Sequence, residues 1–327
     1  MSSYISSQAN RFYTALESAY GSVPAITASN RIPALKLTVR QQLEVTNRKD
    51  KTGSRTFAGL PAGGRRKTSF QLQTYLTSWQ KGSAAAPGYG PLFQAALGGT
   101  PMSYAGGTVS SYSVNGQVGF AAPHGLSAGQ AVASGNEIRF VAAIVDASTI
   151  QLNAPFTVAP ANGAAMGATV TYGPATELSS ASIFDYWSPA TAVQRLLCGA
   201  AIDELEIAIN GDYHEFHFSG VAQDLLDTSS FTTSAGQLQS FPQEPTLSAF
   251  DYSIVPGNMG QAWLGTTATQ FFTLTKASVT LKNNLDMRAN EFGSSLPQAI
   301  APGQRDVRAE LEGGPECRVY VRIGRGV

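Results

Sequence analysis

The chain has 327 residues, enough for one large domain or two smaller ones. Hydrophobic residues make up 43% and charged residues 13%, with a formal net charge of zero. That apolar share excludes wholesale disorder, and the neutral balance argues against polyanion binding by the surface as a whole. So few charges favour a surface buried against copies of itself or a partner. Two cysteines, Cys198 and Cys317, without CxxC spacing exclude a disulfide-rich scaffold and a cysteine zinc site.

The neutral total conceals an asymmetry. Residues 1–100 carry 12 Lys/Arg against 3 Asp/Glu (+9), residues 101–250 carry 2 against 12 (−10), and residues 251–327 carry 8 against 7 (+1). Such a chain suits head-to-tail self-association. Neutralisation within one molecule is the alternative.

The start, MSSYISSQANRFYTALESAYG, has no apolar core of a secretory signal, and no run approaches the roughly 18 apolar residues of a membrane span. A cytosolic protein is expected. Residues 5–20 place Ile5, Ala9, Phe12, Ala15 and Leu16 near one stripe, which predicts a short amphipathic helix. Leu35, Leu37 and Val39 then alternate with Lys36, Thr38 and Arg40, the pattern of a half-buried strand. Phe70, Leu72, Thr74 and Leu76 repeat that pattern. Between them lies NRKDKTGSRTFAGLPAGGRRKTSF (47–70), with seven Lys/Arg and one acid, a long loop between two strands that pair. Residues 82–107 are rich in Gly, Ala and Pro, with one helical turn expected around Leu92–Leu97.

Residues 108–173 contain only three charges, Glu137, Arg139 and Asp146. Short runs (TVSSYSV, QVGFAA, EIRFVAAIVD, TIQLNAPF, ATVTYG) alternate with turns, predicting an inserted small β-barrel or sandwich. SPATAVQRLLCGA (188–200) has Ser188 as N-cap, Pro189 in the first turn and Gly199 as stop, predicting a helix. The acids Asp203, Glu204 and Glu206 would then lie at a helix-to-strand junction. IDELEIAING and DYHEFHFSG read as a hairpin turning at Asn210-Gly211, and FFTLTKASVTLKNN, RDVRAELEG and CRVYVRIG read as further strands.

No catalytic constellation emerges. Gly59 and Gly64 have P-loop spacing, but Arg65 and Arg66 replace the required Lys-Ser/Thr, and a strand follows where the motif opens a helix. Ser127 in GLSAG lacks the strand–turn–helix context of a nucleophile elbow and reads as a turn. His214 and His217 project to opposite faces of a strand, and His124, the only other histidine, lies far off in sequence, so a three-ligand metal site is not expected. The tryptophans (Trp79, Trp187, Trp263) are too dispersed to line sugar subsites around the acids. The basic stretch has only Phe57 and Phe70 as aromatics and lacks the stacking platforms of single-strand binders.

Two segments carry a resemblance: SNRIPALKLTVRQQLEVTNRKDKTGSRTFAGLPAGGRRKTSFQLQTYL and KASVTLKNNLDMRANEFGSSLPQAIAPGQRDVRAEL. They resemble phage major tail tube proteins, and the 107–174 segment is similar to small β domains that decorate phage tail and adhesion proteins. Together these segments cover roughly half of the chain, and the family pattern continues further past GQRDV than this chain does. The resemblance implies a mainly β fold: a β-sandwich or half-barrel of residues 1–106 and 175–327 with one flanking α-helix, supplied by Ser188–Ala200, and the 107–174 module on the outside. It implies a non-enzymatic, cofactor-free subunit of the virion tail, made in the host bacterial cytoplasm. Its partners would be itself, in stacked hexameric rings, and other tail proteins (tape measure, terminator, distal tail). Double-stranded DNA would pass through the lumen without sequence-specific binding; no membrane is involved. A distal-tail or terminator ring protein of the same fold is the alternative, and a hydrolase or metal enzyme using Ser127 or His214 and His217 a more distant one. Arg48, Lys49, Lys51, Arg55, Arg65, Arg66 and Lys67 are expected to contact a neighbouring subunit, with Asp203, Glu204 and Glu206 as the acidic complementary face. The lumen is expected to be neutral or acidic.

Overall fold

The computed structural model describes residues 5–45, 49–51, 53, 55, 59, 64–78, 86–246, 252–264, 269–271, 274–313 and 317–323. A 3₁₀ turn at Ser7–Ala9 leads into strand β1 (Arg11–Leu16) where the sequence suggested a helix. Four successive residues, Phe12 to Ala15, are buried there. A strand covered on both faces buries consecutive residues, and Phe, Tyr and Thr favour extended backbone. The helical stripe is accidental, and its first member, Ile5, is exposed.

Strand β2 (Arg31–Ile32) pairs with β1. Strands β3 (Ala34–Glu44) and β4 (Arg65–Tyr75) pair antiparallel from Ala34↔Thr74 to Glu44↔Arg65, as their alternation predicts. On β4, Phe70, Leu72 and Thr74 are buried. On β3, Ala34, Leu37 and Val39 pack against the core. A bulge between Ala34 and Lys36 takes Leu35 out of alternation, leaving it exposed.

Among the described residues the one α-helix is α1 (Gly90–Leu97), closed by Gly98 in the left-handed conformation (φ 91°). Leu92, Ala95 and Ala96 are buried, and the Phe93 ring lies 4.9 Å from Phe216 and 5.5 Å from Phe218.

Six strands follow: β5 (Gly107–Tyr112), β6 (Gln117–Phe120), β7 (Ala131–Ser134), β8 (Glu137–Asp146), β9 (Thr149–Leu152) and β10 (Ala165–Met166). They form one sheet in the order β10-β5-β6-β9-β8-β7 around Val109, Val118, Val132, Val141 and Ile150. A bridge at Ala133↔Gly167 brings β7 back toward β10, so the barrel nearly closes. Side chains complete the seam: Thr169 Oγ1 donates to the Ala131 carbonyl (2.6 Å), and the Ala131 N–H donates to Thr171 Oγ1 (2.8 Å). Of these strands, β7 and β10 lie outside the runs read from sequence. The pair Met102–Tyr104 with Thr169–Thr171 leads into and out of the barrel.

The chain then adds β11 (Ala181–Tyr186), β12 (Arg195–Ile209), β13 (Glu215–Ala222), β14 (Asp224–Asp227), β15 (Lys276–Lys282), β16 (Asp306–Gly313) and β17 (Cys317–Ile323). The helix expected at Ser188–Ala200 is absent. Gln194 fastens the turn before β12, accepting from the Trp187 N–H (2.5 Å) and donating to the Trp187 carbonyl (3.1 Å). Leu196, Leu197 and Cys198 then run fully buried through the sheet centre. Gly199, read as a helix stop, sits inside the strand with φ 62°, and a Cβ there would lie 2.6 Å from Gln223 Cβ.

The fifteen-residue β12 joins two halves of one sheet. Its first part pairs with β11 and β14, continuing through β1 to β2. Its second part pairs with β13 and β15, giving the order β3-β4-β13-β12-β15-β16-β17, a half-barrel. The hairpin expected between β12 and β13 is present, but its loop runs from Asn210 to His214. Asn210 Oδ1 accepts from the Asp212 and Tyr213 N–H groups, which opens the turn beyond a two-residue Asn-Gly type. The main core lies between this sheet and α1. A second cluster around Tyr13, Phe184 and Leu196 is covered by Val23, Leu238 and Phe241. No helix among the described residues is long and apolar enough to cross a membrane.

Candidate functional site: a polar sheet face with oppositely charged ends

Strand alternation gives the half-barrel one apolar and one polar face. Leu72, Phe218, Leu205 and Leu281 share a row on the core side. The residues between them form rows on the other side. One row reads Gln73, His217, Glu206, Thr280 and Arg308, and its neighbour reads Tyr75, Glu215, Ala208, Ser278 and Glu310. From β3 to β16 this face holds seven cations (Lys36, Arg40, Arg65, Lys67, Lys276, Lys282, Arg308) and seven acids (Glu44, Glu204, Glu206, Glu215, Asp306, Glu310, Glu312). From β3 to β16 these charges are therefore equal in number.

Its charges are unevenly placed. Arg40, Arg65 and Lys67 lie toward the end where β3 leads into β4, and Glu215, Glu310 and Glu312 lie at the opposite end. At the acidic end the sheet forms a depression of 460 Å³, lined by Glu206, Glu215, His217, Lys276, Glu310 and Glu312 among others. His217 is its centrepiece. Nδ1 lies 3.0 Å from Glu206 Oε2, and Nε2 lies 3.0 Å from Glu215 Oε2. Burial works to lower the imidazole pKa, but the two hydrogen bonds and carboxylate charges outweigh it and raise the value above 6.5.

The sequence-predicted residues scatter relative to this face. Arg48 lies outside the described residues; Lys49, Lys51 and Arg55 are exposed between β3 and β4. Arg65, Arg66 and Lys67 are the first residues of β4. Arg66 turns inward within its own chain: Nη1 lies 3.1 Å from Oδ2 of Asp224, whose carboxylate is buried. Lys67 Nζ pairs with Glu44 (2.7 Å), and Arg65 bonds Asn290.

The three predicted acids lie within β12, with no helix junction beside them. They do not form one face. A register shift between Ile202 and Glu204 sets Asp203 apart, and its Oδ1 accepts from the Leu285 N–H (2.8 Å). Glu204 and Glu206 share the polar face. The stronger acidic grouping adds Glu215, Glu310 and Glu312, which sequence reasoning missed. Only the pairing of β13, β12, β15 and β16 brings them near Glu206; Glu310 is 104 positions away in sequence.

The enzyme candidates remain apart. Ser127 sits in a turn of the small barrel, its N–H bonded to Gln130 Oε1 (2.6 Å) between Gly125 and Gly129, both at positive φ. His214 is buried just before β13, with Nε2 3.0 Å from the Met259 carbonyl. His124 bonds the Asp146 carbonyl in the small barrel. No group of three or more His, Cys, Asp or Glu among the described residues is placed to hold a metal ion. Cys198 is buried and reduced, and burial pushes its thiol up to about 12, too weakly acidic for a nucleophile.

Two residues of the KNN…GQRDV stretch have structural work. Asn283 Nδ2 donates to the carbonyls of Ala96 and Ile202 (both 2.9 Å) and its Oδ1 accepts from Arg305 Nε (3.2 Å). Arg305 also donates to Leu97 and Ala175 carbonyls, tying the C-terminal end of α1 to β12.

Comparison with protein-family models and with curated proteins finds no match for this chain.

Proposed function

We propose that this chain is a structural subunit of a bacteriophage or phage-like tail tube, assembling into stacked hexameric rings that conduct DNA. One observation carries the reading: a half-barrel sheet with a polar face, charge-balanced from β3 to β16, and edge strands β3 and β17 that are unpaired on their outer side among the described residues. An eleven-residue edge with exposed Leu35 and Leu43 invites pairing with another chain. Edge-to-edge closure of several copies would turn the half-barrel into a complete one, its polar face lining the lumen. A lumen of mixed cations and acids lets a polyanion pass without the strong binding that a uniformly cationic surface gives. The small barrel is then an inserted module on the outer wall, and the chemistry is assembly without catalysis.

Electron microscopy of the purified protein tests this. Extended tubes or stacked rings support it. Isolated rings that never stack favour a distal-tail or terminator role, and a persistent monomer at high concentration overturns both.

A further inference from the structure

We infer that Asn210 is a site of spontaneous deamidation, its side chain held for attack by the backbone nitrogen of Gly211 in the turn between β12 and β13. The inference is independent of the ring-subunit reading, since it concerns a covalent change within the chain itself.

The chain holds three Asn-Gly pairs: Asn115-Gly116, Asn162-Gly163 and Asn210-Gly211. Deamidation uses the backbone nitrogen after the asparagine as nucleophile, and glycine, with no Cβ, leaves that nitrogen uncovered. In two of the pairs the nitrogen is engaged. The Gly116 N–H donates to the Ser113 carbonyl (2.9 Å), and the Gly163 N–H donates to the Val109 carbonyl (2.8 Å). Among the described residues the Gly211 N–H has no acceptor. Gly211 is also exposed, so water and hydroxide can take its proton.

The electrophile is prepared as well. Asn210 Oδ1 accepts from the Asp212 N–H (2.9 Å) and the Tyr213 N–H (3.0 Å), which folds the carboxamide over the intervening Gly211 peptide. Attack at Cγ places negative charge on Oδ1, and backbone N–H groups already aimed at that oxygen stabilise the charge as it develops. The bond from the Gly211 nitrogen to Cγ forms and the bond from Cγ to the side-chain nitrogen breaks. That nitrogen leaves as ammonia, carrying the proton that Gly211 gives up. Water then opens the cyclic imide at Cγ to give aspartate, or at the main-chain carbonyl to give isoaspartate. Water enters and ammonia departs, with no change of oxidation state. Asn210 lines the depression with Glu206 and Glu215, so the product adds a carboxylate to that wall. Isoaspartate further reroutes the turn's backbone through the side-chain Cβ.

Incubation of the purified chain at mildly basic pH, followed by digestion and mass spectrometry, tests this. Conversion is read as the mass gained when NH₂ is replaced by OH. In the folded chain it should run at least about fivefold faster at Asn210 than at Asn115 or Asn162, because the other two glycines must first give up a hydrogen bond. In concentrated urea the three sites should convert at similar rates. Gly211→Ala supplies the control: Gly211 is not at positive φ, and nothing lies within 4 Å of an added Cβ. This variant should keep the wild-type circular dichroism spectrum and lose most of the conversion at Asn210. A smaller ratio in the folded chain, the same ratio in urea, or a folded Gly211→Ala variant that converts as fast as wild type would each overturn the assignment.

Discussion

Glu17 offers a demanding test of the fold. Its carboxylate is 5% exposed and accepts four hydrogen bonds. Oε1 takes Ser182 Oγ (2.6 Å) and the Gly199 N–H (2.7 Å); Oε2 takes Ser180 Oγ (2.6 Å) and the Gly21 N–H (2.8 Å). Glu17→Gln keeps the shape but turns one oxygen into a donor. Whichever way the amide faces, its NH₂ meets one serine hydroxyl and one backbone N–H. The hydroxyl can rotate and accept, whereas the backbone N–H cannot. A buried N–H without a partner costs about 1–3 kcal/mol, and loss of the charge weakens the bonds that remain by about 1 kcal/mol. Relief of the carboxylate's own burial offsets part of this, so a net loss of about 2 kcal/mol is expected. Glu17→Ala orphans both N–H groups and leaves a void, for about 4 kcal/mol. Urea unfolding followed by circular dichroism measures both, and hydrogen exchange at Gly21 and Gly199 should accelerate. A Gln variant within about 0.5 kcal/mol of wild type with both amides still protected would refute the reasoning.

Other contacts make shorter predictions. Arg139 is buried between the rings of Phe156 (5.4 Å) and Trp263 (5.2 Å) and donates to Pro155, Ile138, Glu137 and Gln261. Arg139→Ala should destabilise the small barrel by about 3 kcal/mol and move tryptophan emission to longer wavelength as Trp263 loses its cover; unchanged emission would argue against the contact. Asn283→Ala breaks two buried hydrogen bonds and a part-buried one and should cost about 2–3 kcal/mol in urea titration, whereas a loss below about 0.5 kcal/mol would deny it a structural role. His217 is raised in the folded state, so its stabilisation is fully present below the ordinary value of 6.5 and is lost as pH rises through the raised one. Wild type should lose stability across that interval relative to His217→Gln, and parallel pH profiles would contradict the pairing with Glu206 and Glu215.

What was legible in the sequence follows from how strands are buried. β3 and β4 each have one covered face, and the small barrel's strands turn one side to its core, so alternation and turn residues reveal them. β1 and β12 are covered on both faces where they cross the sheet. Phe12 to Ala15 and Leu196 to Cys198 are buried in succession, which erases the period of two. Short apolar runs of that kind cannot be told from helix by periodicity, and Ser188-Pro189 ahead of one of them supplied a false start signal. α1 was legible only as a turn because its flanks, rich in Gly and Pro, weaken a helical reading. The acidic depression was invisible for another reason: its carboxylates come from three strands, and register, which unites them, is a property of the folded sheet.

The opposite charges of the first and second stretches of the chain left two explanations open, and the structure divides them by residue. Arg11 with Glu244, and Arg66 with Asp224, join the basic stretch to the acidic one inside a single molecule. Both carboxylates are buried or partly buried, and Glu244 also accepts from Tyr13. Those pairs hold the chain together and cannot recruit a neighbour. A further set of charges is the one that alternation sends to the polar face, where basic residues of β3 and β4 and acids of β12, β13 and β16 share one surface although they lie far apart in sequence. Neutralisation within the molecule accounts for the inward-facing charges. The outward-facing ones share the polar face, with Arg40, Arg65 and Lys67 toward one end and Glu215, Glu310 and Glu312 toward the other.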